Sequence, residues 1–168
     1  RHQRVLNSLA HKEKKMSSNE KLEQQSKAIL TKYVMAAIAT GAVPVPAVSA
    51  ALVAENALMI NHIAAIYGCE ISVGTVVSAI GVLGTANMIG RQVFIEAARL
   101  LSWGVAFTGA PVLVSAIGAG TAGLQTYLIG LLAIEIAKSG GEMLSRSVVT
   151  GIFRKGKDDF DDFIKASA

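Results

Sequence analysis

YVMAAIATGAVPVPAVSAALVAENALMINHIAAIYG, residues 33–68, decides the fold. Glu55 is its only formal charge; Gly41, Pro44 and Pro46 interrupt it once, and Gly68 closes it. Each proline lacks an N–H and turns the residue before it away from the α region, so one helix ends here and another begins. The second is expected over residues 47–67, with Gly68 as its left-handed C-cap. A link this short between two apolar helices gives an antiparallel hairpin, with Gly41, Pro44 and Pro46 shaping its turn. Glu55, Met59, His62 and Ile66 lie near one face of the second helix, with Asn56 and Asn61 to either side. Polar groups on an apolar helix face protein or water rather than lipid. Glu55, Asn56 and His62 are therefore the expected polar interior, where Glu55 and His62 are spaced to share a proton or a hydrogen bond.

The hairpin sits within a longer charge-poor centre. Between Lys32 and Glu135 the only formal charges are Glu55, Glu70, Arg91, Glu96 and Arg99. Hydrophobic residues make up 52% of the 168-residue chain and charged residues 17%, against roughly 25% charged in ordinary soluble domains. Such a centre between charged flanks is expected to be membrane-embedded or membrane-associated. Its abundance of Ala and Gly also suits a tightly packed soluble helical domain, which stands as a competing expectation. Residues 71–90 form a charge-free run of 20, about the length that crosses a hydrocarbon core as a helix. Residues 91–99, with Arg91, Glu96 and Arg99, read as an amphipathic piece near an interface, followed by Trp103 as an anchor. The 35 charge-free residues from 100 to 134 are too long for one straight span, and Gly109, Ala110 and Pro111 mark the expected break. Gly81, Gly84, Gly118, Gly120 and Gly123 occur at spacings that let a neighbouring backbone approach closely.

These features divide the chain into a basic helical arm at 1–27, an apolar helical hairpin domain at 28–140 and a charged amphipathic tail at 141–168. Residues 1–32 carry eight Lys or Arg against three Glu, a net of +5. Ser17, Ser18 and Asn19 before Glu20 and Glu23 predict a helix start near residue 19. A basic arm beside apolar spans favours anionic lipid, and without aromatic side chains it is not expected to stack nucleic-acid bases. In the tail, Phe160, Phe163 and Ile164 alternate with Asp158, Asp159, Asp161 and Asp162. Positive charge at both ends predicts an even number of crossings, with both termini cytoplasmic. The opening residues lack the apolar core of a signal peptide, and a start at Arg1 without Met is expected of a fragment.

No reaction chemistry stands out. GIFRKGKD, residues 151–158, falls one residue short of a P-loop because Asp158 stands where a Mg²⁺-binding hydroxyl belongs. His2, His11 and His62 are too dispersed for a zinc site, which needs three or four converging ligands. Cys69 is the only cysteine, so no intrachain disulfide forms. The chain is expected to be no enzyme and to use no cofactor or metal.

Residues 31–72, with the Gly41, Pro44, Pro46 turn, Met59 and the Tyr67-Gly68 end, resemble the uncharacterised helical membrane domain found with Era-like GTPases, as in the YcjF-type proteins. Residues 109–130, ending in Thr126, Tyr127 and Gly130, resemble that family's Pro/Gly-rich hairpin. Ser49 departs from the family's frequent Asp three residues after the second proline. The resemblance implies an all-α bundle of Ala/Gly-rich hairpins that works at a membrane with a GTPase or another envelope protein.

The expected function is thus a non-enzymatic module that anchors or scaffolds a partner at the bacterial inner membrane or an equivalent organelle membrane. It would contact membrane lipid and further copies of itself, and no nucleic acid. The alternative is a pore-forming, channel-like domain lined by Glu55, Asn56 and His62.

Overall fold

The computed structural model describes residues 2–42, 48–81 and 110–167. Five α-helices make up the regular structure of those residues: α1 (His2–Gly41), α2 (Val48–Tyr67), α3 (Val73–Gly81), α4 (Ala110–Lys138) and α5 (Arg146–Ser167). No strand occurs among them, and the fold is all-α. Pro44, Pro46, Gly84, the Arg91–Arg99 piece and Trp103 lie outside the described residues.

α1 begins well before the expected start near residue 19. Ser17, Ser18 and Asn19 lie inside it, because no Gly or Pro precedes Gly41 and the segment is rich in the helix formers Lys, Glu, Gln and Leu. α2 ends as expected at Gly68, whose φ is +65°. There the Cys69 N–H bonds the Ala64 carbonyl and the Gly68 N–H bonds that of Ala65, closing a Schellman motif. Gly140 repeats this motif at the end of α4, with bonds from Gly141 to Ile136 and from Gly140 to Ala137. α3 starts on the Ser72 hydroxyl, which accepts from the Thr75 N–H at 3.0 Å. The described part of α4 begins at Ala110, with Pro111 next to it, and Gly109 of the expected break lies outside the described residues.

α4 is the central helix, packed on α1, α2 and α5 with a smaller contact to α3. It runs antiparallel to α1, since Ile38 meets Gly123, Leu30 meets Gly130 and Glu23 meets Lys138. The part of α1 before Glu23 therefore continues past the end of α4. Leu30, Val34 and Ala37 of α1, Met59, Ile60 and Ile63 of α2 and Leu124, Leu128, Leu132 and Ile136 of α4 form the dry core. Burying each large member contributes roughly 1.5–3 kcal/mol.

Three glycines set how closely these helices approach. A Cβ at Gly123 would lie 2.6 Å from Ile38 Cγ1, and one at Gly156 would lie 2.7 Å from Leu131 Cδ1 and 2.8 Å from Leu128 Cδ2. A Cβ at Gly130 would run into Leu30 Cδ1 and reach within 3.2 Å of Met59 Sδ. Gly151 of α5, by contrast, faces open space. Gly130→Val is expected to destabilise the fold by about 1–3 kcal/mol through overpacking. Gly151→Ala should stabilise it by up to about 1 kcal/mol through helix propensity. Chemical denaturation of both variants would show opposite shifts in midpoint if these glycines are, respectively, a contact and a bystander.

Candidate functional site

The hairpin of α1 and α2 is held by two cross-helix hydrogen bonds. Thr40 Oγ1 donates to Glu55 Oε1 at 2.8 Å, and the Tyr33 hydroxyl and His62 Nδ1 share a bond at 2.9 Å. Moving from one bond to the other steps two turns down α2 and two turns back along α1, as antiparallel helices require. Glu55 and His62 therefore each bond α1 and not each other. The expected shared proton between them is replaced by these separate partners. His62 is exposed, Glu55 half-buried and Asn56 buried, so the expected polar interior keeps its acid and amide while His62 belongs to the surface. The imidazole reaches the rim because its partner, Tyr33, is itself only half-buried.

Glu55 Oε2 and Asn56 Oδ1 are buried without a hydrogen-bond partner, as is Thr126 Oγ1 of α4. Unpaired buried acceptors of this kind destabilise their surroundings by about 1–3 kcal/mol each. Asn56 precedes Met59 by one turn, and Thr126 precedes Gly130 by one turn. Because Met59 packs on Gly130, the two unpaired groups stand at similar heights on neighbouring helices. Among the described residues, no group of three or more His, Cys, Asp or Glu side chains could hold a metal ion.

Outside this polar seam the hairpin turns an apolar face to its surroundings. Met35, Ala36 and Ala39 of α1 and Ala51, Val53, Ala54 and Leu58 of α2 are all exposed, with Val53 66% and Leu58 52% accessible. Helix spacing places Ala51, Ala54 and Leu58 on one face of α2 beside the Glu55–His62 seam, with Val53 on another side of that helix, and Val73 and Val77 of α3 are exposed as well. No formal charge occurs in α1 after Lys32, and Glu55, already bonded to Thr40, is the only one in α2.

The opposite end of the bundle is charged. Glu23 binds Lys27 at 2.8 Å and Lys138 at 3.0 Å, and Lys138 also lies 3.8 Å from Glu135. Hydrogen bonds from Lys27 and Lys138 hold the Glu23 carboxyl at a pKa of about 2, below its ordinary 4.5, against a smaller opposing effect of burial.

α4 carries the third feature. Its Gly120–Lys138 stretch is the one described segment long and apolar enough to cross a membrane, and 67% of its apolar window is buried inside the bundle. Length and composition alone also describe the core helix of a soluble protein. α5 covers one side of it with Val149, Gly156 and Phe160 buried, Phe160 and Phe163 lying with ring centroids 5.4 and 4.5 Å from that of Tyr127. The opposite face of α5 exposes Asp158, Asp159, Asp161 and Asp162 beside the middle of α4.

Of the expected packing glycines, Gly123 is buried in the α1–α4–α5 contact and Gly120 is half-buried. Gly118 lies in α4, Gly81 is the last described residue of α3, and Gly41 is buried at the end of α1. Sequence reasoning missed Gly130 and Gly156 as contact points, and Thr40 and Tyr33 as partners of Glu55 and His62. The seven-residue repeat from Gly123 to Gly130 was a visible signal; the threonine and tyrosine offered none until the hairpin register was known.

These elements define an all-α bundle rich in Ala and Gly, with one apolar flank and one charged end. A family model described as a domain of unknown function, DUF697, matches residues 6–155, and the chain belongs to that family. No curated protein and no solved structure matches it.

With a folded pKa below its ordinary value, Glu23 contributes stability that is complete above about pH 4.5 and lost as pH falls toward 2. The side chain remains 37% accessible, so solvent screening limits that contribution to about 1 kcal/mol or less. Glu23→Gln should therefore lower the melting temperature slightly at neutral pH. Thermal melts of both proteins should converge near pH 2 and in high salt.

Proposed function

We propose that the chain is a non-enzymatic, membrane-associated helical module that anchors or scaffolds a partner at a lipid surface. The carrying observation is the exposure of Met35, Val53 and Leu58 on the charge-poor α1–α2 hairpin, where a water-facing helix would carry charge. Several large apolar side chains exposed on one charge-poor hairpin support lipid or protein contact. The charged end around Glu23 and Lys138 would stay in water, so the hairpin enters lipid from one side. The resemblance to helical domains found with Era-like GTPases supports a GTPase or another envelope protein as partner, with the module itself oligomeric. It also supports the bacterial inner membrane, or an equivalent organelle membrane, with the termini on the cytoplasmic side.

A second proposal is a soluble helical interaction domain. It is favoured by the aspartates of α5, which bring charge to the level of the middle of α4. Flotation with phosphatidylcholine–phosphatidylglycerol vesicles separates the two. Val53→Glu and Leu58→Glu replace exposed side chains and should leave the fold intact while lowering the bound fraction about tenfold, given the cost of placing a carboxylate in lipid. Met143→Glu, between α4 and α5, should float like the wild type. A wild-type protein that stays in the aqueous fraction would exclude membrane anchoring and leave the soluble interaction domain.

A further inference from the structure

Placed at a lipid surface, α4 and α5 would make incompatible demands on their surroundings. The Gly120–Lys138 stretch of α4 has the length and apolar composition of a span. α5 nevertheless lies antiparallel along it, Gly156 against Leu128 and Leu131, and Phe160 against Gly123 and Tyr127. That docking sets Asp158, Asp159, Asp161 and Asp162 at the level of the middle of α4. Four exposed aspartates at that depth exclude the covered side of α4 from lipid.

α5 is attached to α4 along one narrow edge and makes a smaller contact with α3. Only Val149, Gly156 and Phe160 are buried, flanked by the partly buried Ile152, Phe153, Phe163 and Ile164. Two ion pairs of α5, Lys155–Asp159 and Lys165–Asp162, close within the helix and move with it, and Lys157 makes a further interaction. Gly140 and Gly141, with φ of +79° and +91°, begin the connection from α4 to α5. At Gly141 a Cβ would stand 3.1 Å from the Glu70 carbonyl oxygen. The apolar edge of α5 carries three phenylalanines and two isoleucines opposite a charged face, the amphipathic pattern of an interfacial helix, with aspartates where such helices usually carry Lys or Arg.

We propose that α5 is a detachable strap. At a lipid surface it leaves α4 by turning at Gly140 and Gly141, its Phe153, Phe160 and Phe163 edge enters the headgroup boundary, and the Tyr127, Leu128 and Leu131 side of α4 is opened to lipid. The partner of that edge is α4 in water and the bilayer at the membrane. The proposal rests on the membrane-associated function above.

The test uses the full chain with Cys69→Ser and the exposed positions Gln125→Cys and Asp162→Cys carrying nitroxide labels. Vesicle binding is followed by flotation and the inter-label distance by pulsed dipolar spectroscopy. A helix of 22 residues is about 33 Å long, so release from its base should lengthen the distance by at least about 10 Å on binding. Protein that floats with the distance unchanged overturns the strap and leaves membrane anchoring by the hairpin intact. Protein that does not float overturns both. A second variant, Leu128→Cys with Gly156→Cys in the Cys69→Ser background, locks α5 down by a disulfide. The oxidised form should float several-fold less than the same protein after reduction, and equal flotation of the two forms would also overturn the strap.

Discussion

The close contact of α4 with α1, made possible by glycine at positions 123 and 130, is the constraint on which the rest of the bundle depends. Ile38 and Leu30 occupy the space that side chains at those positions would need. Two glycines seven residues apart face the same side of a helix, so the contact is a continuous groove rather than a point. Once α1 lies in it, Glu23 meets Lys138 at one end and Met59 of α2 is carried against Gly130. Gly156 repeats the same solution from the other side, where Leu128 and Leu131 close over the missing Cβ of α5. Small residues here do not signal weak packing. They let large neighbours on other helices reach the axis of α4.

That arrangement separates the bundle into unlike surfaces. The groove consumes one side of α4 and α5 covers another, leaving the outward faces of α1 and α2 without a cover among the described residues. These faces are apolar because α1 carries no charge after Lys32 and α2 carries only Glu55, whose first oxygen is committed to Thr40. The charged end and the charged face of α5 fall elsewhere. The family to which the chain belongs is described only as a domain of unknown function, so the proposed role rests on these physical features.

Much of the architecture was legible along the chain. Gly68 announced the end of α2 because a left-handed residue is cheapest as glycine. Gly123 was legible through its spacing from Ala119. The start of α1 was misread at Ser17 to Asn19, since a good capping sequence stays inside a helix when the residues before it also favour helix. His62 was misread as interior, since a lone imidazole on an apolar helix carries no mark of whether its neighbour is buried. The amphipathic segment near Phe160 proved to be part of a helix of 22 residues.

The amino-acid sequence by itself determined that the protein is helical, where α2 ends, and that charge is concentrated at its flanks. These are local properties: glycine's access to positive φ and the count of charges within a window. Tertiary structure alone decided which helix becomes central, that Glu55 and His62 bond α1 instead of each other, and that a charged helix lies along the most apolar one. Each of those depends on the register between segments far apart in the chain. That register is set by which side chains fill the spaces left by Gly123, Gly130 and Gly156.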